Sequence, residues 1–353
     1  MTMTESPQIG GRPPTPVTGQ RSSMSWRTAS RIGTKVLELP GASVTIAVLV
    51  LFAIITGIHP DFASANNLED ILQSSVYVAL LGAGMAWIIA MRDIDLSVGS
   101  ALGLCLTVAA LLMRGGLDPW ICAAIGVALG GGLGLFNALV VSYVRIPTII
   151  TTLATLSMFE GISVGISGGQ DVAGLPTQGS FFRVLGGTVG GFPDAFIALV
   201  IVCIPLAVVL HQTPFGQRVL AFGSNPDAAV FSGISERRVR MQVLVLIGLL
   251  AGFAGILALA FFTSADPTEG SGFELQAIAA AVIGGTPLRG GSASIYGAIV
   301  GAILLNLVLT SLPFFNVPVN WSEFATGVVI LVAVGLDSLV RVRQRRMAAG
   351  ISL

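Results

Sequence analysis

Polar residues in this chain fall into short clusters separated by long apolar runs, and the runs set the expectation. After a first segment of 40 residues rich in Ser, Thr, Pro and Arg, hydrophobic stretches occupy 41–58, 72–91, 97–113, 119–143, 148–167, 193–211, 241–262, 275–287, 294–312 and 323–340. About 20 apolar residues make a helix long enough to cross the hydrocarbon core of a bilayer. The pattern therefore predicts an all-α integral membrane protein, a polytopic bundle of about ten transmembrane helices. The eighth run is too short to cross as a straight helix and ends in Gly284-Gly285-Thr286-Pro287. It reads as a broken or re-entrant element, which is tolerated at membrane depth only where protein or a wet cavity surrounds it.

Composition agrees with lipid as the solvent. Only 10% of the residues are charged and 54% are hydrophobic, with a mean hydropathy of +0.87; a soluble domain carries about 25% charged residues. The basic residues give the spans a direction, because cytoplasmic loops carry the excess of Lys and Arg. With the N-terminus inside, 16 of them fall on the cytoplasmic side and only Arg114 and Arg183 fall outside. Residues 1–38 then form a disordered cytoplasmic arm, 39–341 the transmembrane domain and 342–353 a basic cytoplasmic tail. No cleavable leader is expected, since the first apolar run is not followed by a small-residue cleavage signal. The formal net charge is zero, and no nucleic-acid partner is implied.

Much chemistry is absent. The only lysine is Lys35, in Ile32-Gly33-Thr34-Lys35-Val36, so the chain has no phosphate-cradling loop ending in Gly-Lys-Ser/Thr. His59 and His211 lie far apart, and Cys105, Cys122 and Cys203 sit singly in apolar runs, so no metal or cofactor site is expected. Neither a Ser/His pair nor facing aspartates stand inside the spans, so the chain is not read as an enzyme. The glycine spacings Gly126/Gly130/Gly134, Gly248/Gly252 and Gly297/Gly301 read as seams between closely packed helices. Ser97–Gly103 and Gly291–Gly297 echo each other, each opening a span after a break; duplication and coincidence both fit.

The longest interior loop, about 212–240, carries helix punctuation. Asn225 suits an N-cap, Pro226 a first turn, Asp227 the positive end of the helix dipole and Gly233 a left-handed stop. The result is a two-turn helix, too short to hold alone in water. With Ala228, Val230 and Phe231 it needs a surface, either its own transmembrane domain or a cytoplasmic partner.

Three separated stretches resemble the permease subunits of bacterial ATP-binding-cassette sugar importers of the ribose/xylose/galactose type. They are Asp93-Ile94-Asp95-Leu96-Ser97-Val98-Gly99-Ser100, the segment from Phe215-Gly216-Gln217-Arg218-Val219 to Gly233-Ile234, and Ile278–Thr286 followed by Gly290-Gly291-Ser292. The resemblance implies a homodimer of permeases in the inner membrane, a cytoplasmic ATPase that uses ATP and Mg, and an extracytoplasmic sugar-binding protein that delivers a monosaccharide or related polyol. It makes Gly216, Arg218, Asn225, Pro226, Asp227, Phe231 and Gly233 the ATPase-coupling loop. A permease of the branched-chain amino-acid type, an ion-coupled carrier and a structural scaffold are the alternatives.

The chain departs from the family pattern at two places. The family usually has Gly-Gly before Ile-Asp-Leu-Ser, whereas Arg92-Asp93 stand here. An Arg92 pair with Asp93 or Asp95, with Asp95 capping the third span, is one reading; a gate formed by Asp93, Asp95, Ser97, Gly284 and Gly285 is the other. Glu160 stands where relatives commonly carry arginine, and an acid there faces a pathway, an interface or an ion partner. Asn137, Gln276 and Asn306 either hydrogen-bond a polyol in that pathway or join helices.

Overall fold

The computed structural model describes residues 41–332 and Gly335; the arm 1–38, the basic tail 342–353 and the end of the last apolar run lie outside the described residues. Its helices are α1 Ala42–Ile58, α2 Ala65–Ala90, α3 Val98–Arg114, α4 Pro119–Leu139 continued by a π turn over Val140–Val144, and α5 Thr148–Ser167. A short α6, Ser180–Leu185, follows, then α7 Asp194–Gln212, α8 Pro214–Ser224, α9 Pro226–Phe231 and α10 Glu236–Phe262. The described chain ends with α11 Phe273–Ile283, α12 Ile295–Ser311 and α13 Ser322–Val332. Among the described residues six helices are long and apolar enough to cross a membrane, and α1, α3, α11 and α13 are shorter apolar helices.

Local chemistry sets many of these boundaries. Ser64 accepts from the Asn67 amide, Asp118 from those of Trp120 and Ile121 ahead of Pro119, and Ser294 from that of Gly297. Each occupies one of the amide donors that a helix start leaves unpaired. The capped start at Ala65 carries α2 two turns beyond the expected run, through Asn67, Glu69 and Asp70, because these polar residues are helical without being apolar. The fold is helical, as expected, apart from an antiparallel hairpin of Thr188–Val189 with Phe192–Pro193, pairing Thr188 with Pro193, and a bridge from Val172 to Ala265. In the connection 212–240 the expected two-turn helix is α9, and α8 and the first turn of α10 occupy most of the remainder.

Packing explains which helices lie inside. From Val76 to Ala90, α2 is apolar or glycine all round and wholly buried, as a helix without a polar face should be. Helix α10 is its near equal, lying along α4 on the glycine seam. A Cβ at Gly130 would meet the Gly248 carbonyl, one at Gly134 the Leu244 carbonyl, and one at Gly252 the backbone of Gly126 and Val127. By contrast α5 and α7 expose Ile150, Leu153, Ile162, Ile201 and Ile204, a surface suited to hydrocarbon. The segment 263–272 runs back along α3 before α11 begins, with Gly99 packed on Gly270 and Gly103 on the Glu269 carbonyl. The short α11 then ends where Gly285 turns left-handed (φ 96°), and Gly284 sits on Gly297, with no room for a side chain.

The seam gives a paired prediction. Gly130→Val should destabilise the detergent-solubilised protein by about 3 kcal/mol or more through overpacking. Gly132→Ala, at a position where a Cβ meets nothing within 4 Å, should hold or raise stability. Thermal unfolding followed by tryptophan fluorescence checks both.

Candidate functional site

Four chain segments meet at one end of the bundle. Helix α2 ends at Ala90, whose carbonyl accepts from the Gly291 amide at 2.9 Å. A Cβ at Gly223, near the end of α8, would strike that Ala90 carbonyl, and Gly290 packs on the Arg92 backbone and side chain. Arg92 has a left-handed backbone (φ 67°). From there its Nε donates to the Gly223 carbonyl at 2.7 Å and its Nη2 to that of Ser224 at 2.9 Å. These are carbonyls that the end of a helix leaves without intrahelical partners. At its other end α8 is held by Phe215, stacked on Trp87 of α2 with ring centroids 5.3 Å apart. The non-helical segments 91–97 and 284–294 and the end of α8 thus share one junction.

This geometry corrects the expected pairing of Arg92 with a neighbouring acid. Asp93 pairs instead with Arg240 of α10, Nε to Oδ2 at 2.7 Å, and Arg240 also reaches Glu236 at 2.7 Å. Asp95 is buried and accepts from the Ser97 amide at 2.8 Å and from Ser97 Oγ at 2.6 Å. Helix α3 itself starts from Ser97, and the carboxylate ties the entry to it without capping its first turn. Asn137 of α4 donates from Nδ2 to Ser97 Oγ at 2.8 Å, while its buried Oδ1 has no partner. Asp95, Ser97 and Asn137 thereby line one small cavity with Phe159.

Glu160, the next residue on α5, lines a second small cavity with Ser100, Thr268, Glu269, Ser271 and Glu274. Three carboxylates therefore converge from α5, the 263–272 segment and α11. Among the described residues no group of His, Cys, Asp and Glu is arranged to hold a metal ion. What the cavity offers is hydrogen-bond acceptors and hydroxyls. Gln276 follows Glu274 on α11 and is half-buried. Asn306 stands apart, donating to the Ala302 carbonyl of its own helix at 3.1 Å.

Helix α9 takes the punctuation expected of it, and α8 begins in the same way. Thr213 accepts from the Gly216 amide, Asn225 from that of Ala228, Pro214 and Pro226 fill the first turns, and Gly233 is left-handed (φ 83°). Gly216 packs on Leu210, and Ala229 is buried against the bundle. Val230 and Phe231 face away, with Phe231 91% exposed. Arg218, also exposed, lines a groove of about 450 Å³ with Gly233 and Arg238. So α9 packs on its own protein through one residue and presents its apolar remainder outward.

Sequence reasoning missed α8 as a helix, although Thr213-Pro214 is the same cap signature as Asn225-Pro226. It also missed Glu269 and Glu274 as companions of Glu160. Only tertiary packing brings those acids together, and no spacing announces it.

The description "branched-chain amino acid transport system / permease component" belongs to a family model that matches residues 67–334. The ribose import permease of Escherichia coli (strain K12) is 36% identical over 295 residues, 83% of this chain and 92% of that protein. The L-arabinose ABC transporter permease of Azospirillum brasilense is 31% identical, covering 87% of this chain and 90% of its own length. The autoinducer 2 import permease of Enterobacter sp. (strain 638) is 34% identical, over 85% and 87%. No solved structure matches the chain.

Removing the Arg92 latch should loosen the paired helices. In Arg92→Gln, amide hydrogen exchange across 214–235 should accelerate about 10-fold or more, the loss of two hydrogen bonds from a charged donor, each about 1.5–3 kcal/mol. Exchange in α4 and α10 should stay unchanged.

Proposed function

This chain belongs to the family of branched-chain amino acid transport system permease components, and on that premise we propose that it forms half of the translocation pathway of an ATP-driven importer for a monosaccharide or related polyol. It is a multi-pass membrane permease with sugar-importer relatives. The sugar class is supported by relatives that import ribose and arabinose at 31–36% identity over most of their length. It is favoured over amino acids for that reason, although the family description names amino-acid transport. The chain crosses the bacterial inner membrane about ten times with both ends in the cytoplasm, and the stretch from the 263–272 segment through α11 is a broken crossing. A second copy completes the pathway. A separate cytoplasmic ATPase supplies ATP and Mg, and an extracytoplasmic binding protein delivers the cargo.

The observation that carries this reading is the outward face of α9, tied through α8 to both non-helical segments. An exposed Phe on a two-turn helix with fixed caps suits insertion into a cleft of the ATPase. Movement of that helix pair pulls Arg92 through the Gly223 and Ser224 carbonyls. Arg92 is contiguous with Asp93, which holds α10, and with Asp95 and Ser97, which hold α4. The gate is then 91–97 together with Gly284 and Gly285, and the pathway passes Asn137 and Glu160. Carboxylates accept hydrogen bonds from hydroxyl groups, so Glu160, Glu269 and Glu274 suit a neutral polyol better than an anion. Gln276 and Asn306 are secondary candidates.

The test is uptake of labelled ribose or arabinose into proteoliposomes holding this chain with its neighbouring ATPase and binding protein. Phe231→Asp should lower ATP-driven uptake by about 10-fold or more, the loss of a buried aromatic anchor, while leaving the permease inserted and the isolated ATPase active. Uptake by the chain alone under an ion gradient would sink the reading in favour of a secondary carrier.

A further inference from the structure

At the same end of the bundle, α4, the start of α5 and the start of α10 line a cavity of about 610 Å³ that includes Arg92 and not Glu160. Four arginines line it: Arg92, Arg145, Arg237 and Arg240. The two acids in its wall, Asp93 and Glu236, are both bound to Arg240, and Arg92 is engaged with the α8 carbonyls. Among the described residues neither Arg145 nor Arg237 has a carboxylate within 4 Å. Arg237 instead lies over the Tyr143 ring, 3.7 Å from its centroid. The four arginines exceed the two acids by two charges, and among the described residues Arg145 and Arg237 are the two of these guanidinium groups with neither a carboxylate nor a carbonyl partner.

Two further observations point to a ligand. Thr148 is 3% exposed, its Oγ1 is buried without a partner, and it lines the cavity; the buried Oγ of Ser142 is likewise unpartnered there. A buried polar group left unpaired costs about 1–3 kcal/mol. Thr148 also opens the 20-residue α5, with Pro147 before it and no side chain capping the turn, and such a helix start favours negative charge. The local backbone is irregular where it bends to build this wall. Val140–Val144 form a π turn, and Arg145 is left-handed (φ 62°). Guanidinium groups, hydroxyls and an open helix start match the oxygens of a phosphate.

The surroundings choose between a soluble phosphate and a lipid. Tyr143, Val144 and Ile149 beside the cavity are exposed, and the apolar face continues through Phe136 and Leu139 on α4. Acyl chains would lie on that face with the headgroup at the arginines. We propose that this cavity binds the phosphate headgroup of an anionic phospholipid, joining the turn between α4 and α5 to the start of α10 beside the Arg92 latch. The site depends on the bilayer and not on the identity of the cargo; the proposed orientation enters only in assigning it to the cytoplasmic leaflet.

The full chain, reconstituted in phosphatidylcholine with phosphatidylglycerol and then extracted into detergent, is weighed with its retained lipid by native mass spectrometry. Wild type should keep phosphatidylglycerol in preference to phosphatidylcholine. Arg145→Gln with Arg237→Gln should reduce that retention by about 10-fold or more, equal to ~1.4 kcal/mol. Thr148→Val, which alters no charge, should reduce it several-fold, and Arg238→Gln, outside this cavity, should not. Equal retention in wild type and in a folded Arg145→Gln/Arg237→Gln protein would overturn the proposal, as would an unchanged Thr148→Val protein. Displacement of phosphatidylglycerol by inorganic phosphate would assign the site to a soluble phosphate and overturn the lipid assignment.

Discussion

A backbone that leaves helical geometry where close packing excludes water must find new partners for its freed amide and carbonyl groups. In this protein the segments 91–97 and 284–294 find several of them in each other and in helix ends. The Ala90 carbonyl takes the Gly291 amide, and the Asp93 amide returns to the Ile88 carbonyl. The Asp95 carboxylate takes the Ser97 amide, and Thr286 Oγ1 takes the Ser294 amide. The α8 carbonyls at Gly223 and Ser224 are met by Arg92. The starts of α3 and α12 and the end of α8 are consequently fixed by one shared set of contacts.

Close approach is what makes that set possible. Gly223 lies on Ala90, Gly284 on Gly297 and Gly301 on Ala280, each too near for a side chain. Lipid offers no hydrophobic drive for helices to associate, so association relies on packing of this kind. The buried helices α2 and α10 provide the rigid frame, and the polar groups are concentrated where the helices break. Asp95, Ser97, Asn137 and Glu160 all stand at or beside a break or a cavity, so the costly groups and the non-helical geometry coincide.

The helices were largely legible because their ends are written locally. The run 148–167 agrees with α5 residue for residue, bounded by Pro147 and by the left-handed Gly168. The α9 cap was legible for the same reason. The start of α10 was not, since Glu236–Arg240 are helical but charged, and hydropathy ends where charge begins. The partners of Arg92 were also illegible. Asp93 and Asp95 are the obvious neighbours, yet the guanidinium reaches carbonyls 131 and 132 residues away. Likewise Glu160 gains Glu269 and Glu274 only because the 263–272 segment folds back along α3, which no periodicity reveals.

The left-handed backbone at Arg92 carries a cost that glycine would not incur, because glycine adopts that conformation without steric penalty. A residue with a side chain gives up roughly 1–2 kcal/mol there. In this chain the cost is offset by two hydrogen bonds from a charged donor, each worth about 1.5–3 kcal/mol, and by the adjacent Asp93, which anchors α10 through Arg240. A turn that glycine would leave passive is therefore fastened on both sides, to the end of α8 and to the frame of the bundle. The Gly284–Gly285 break reaches the same junction through Gly290, packed on Arg92, and Gly291, whose amide donates to the Ala90 carbonyl.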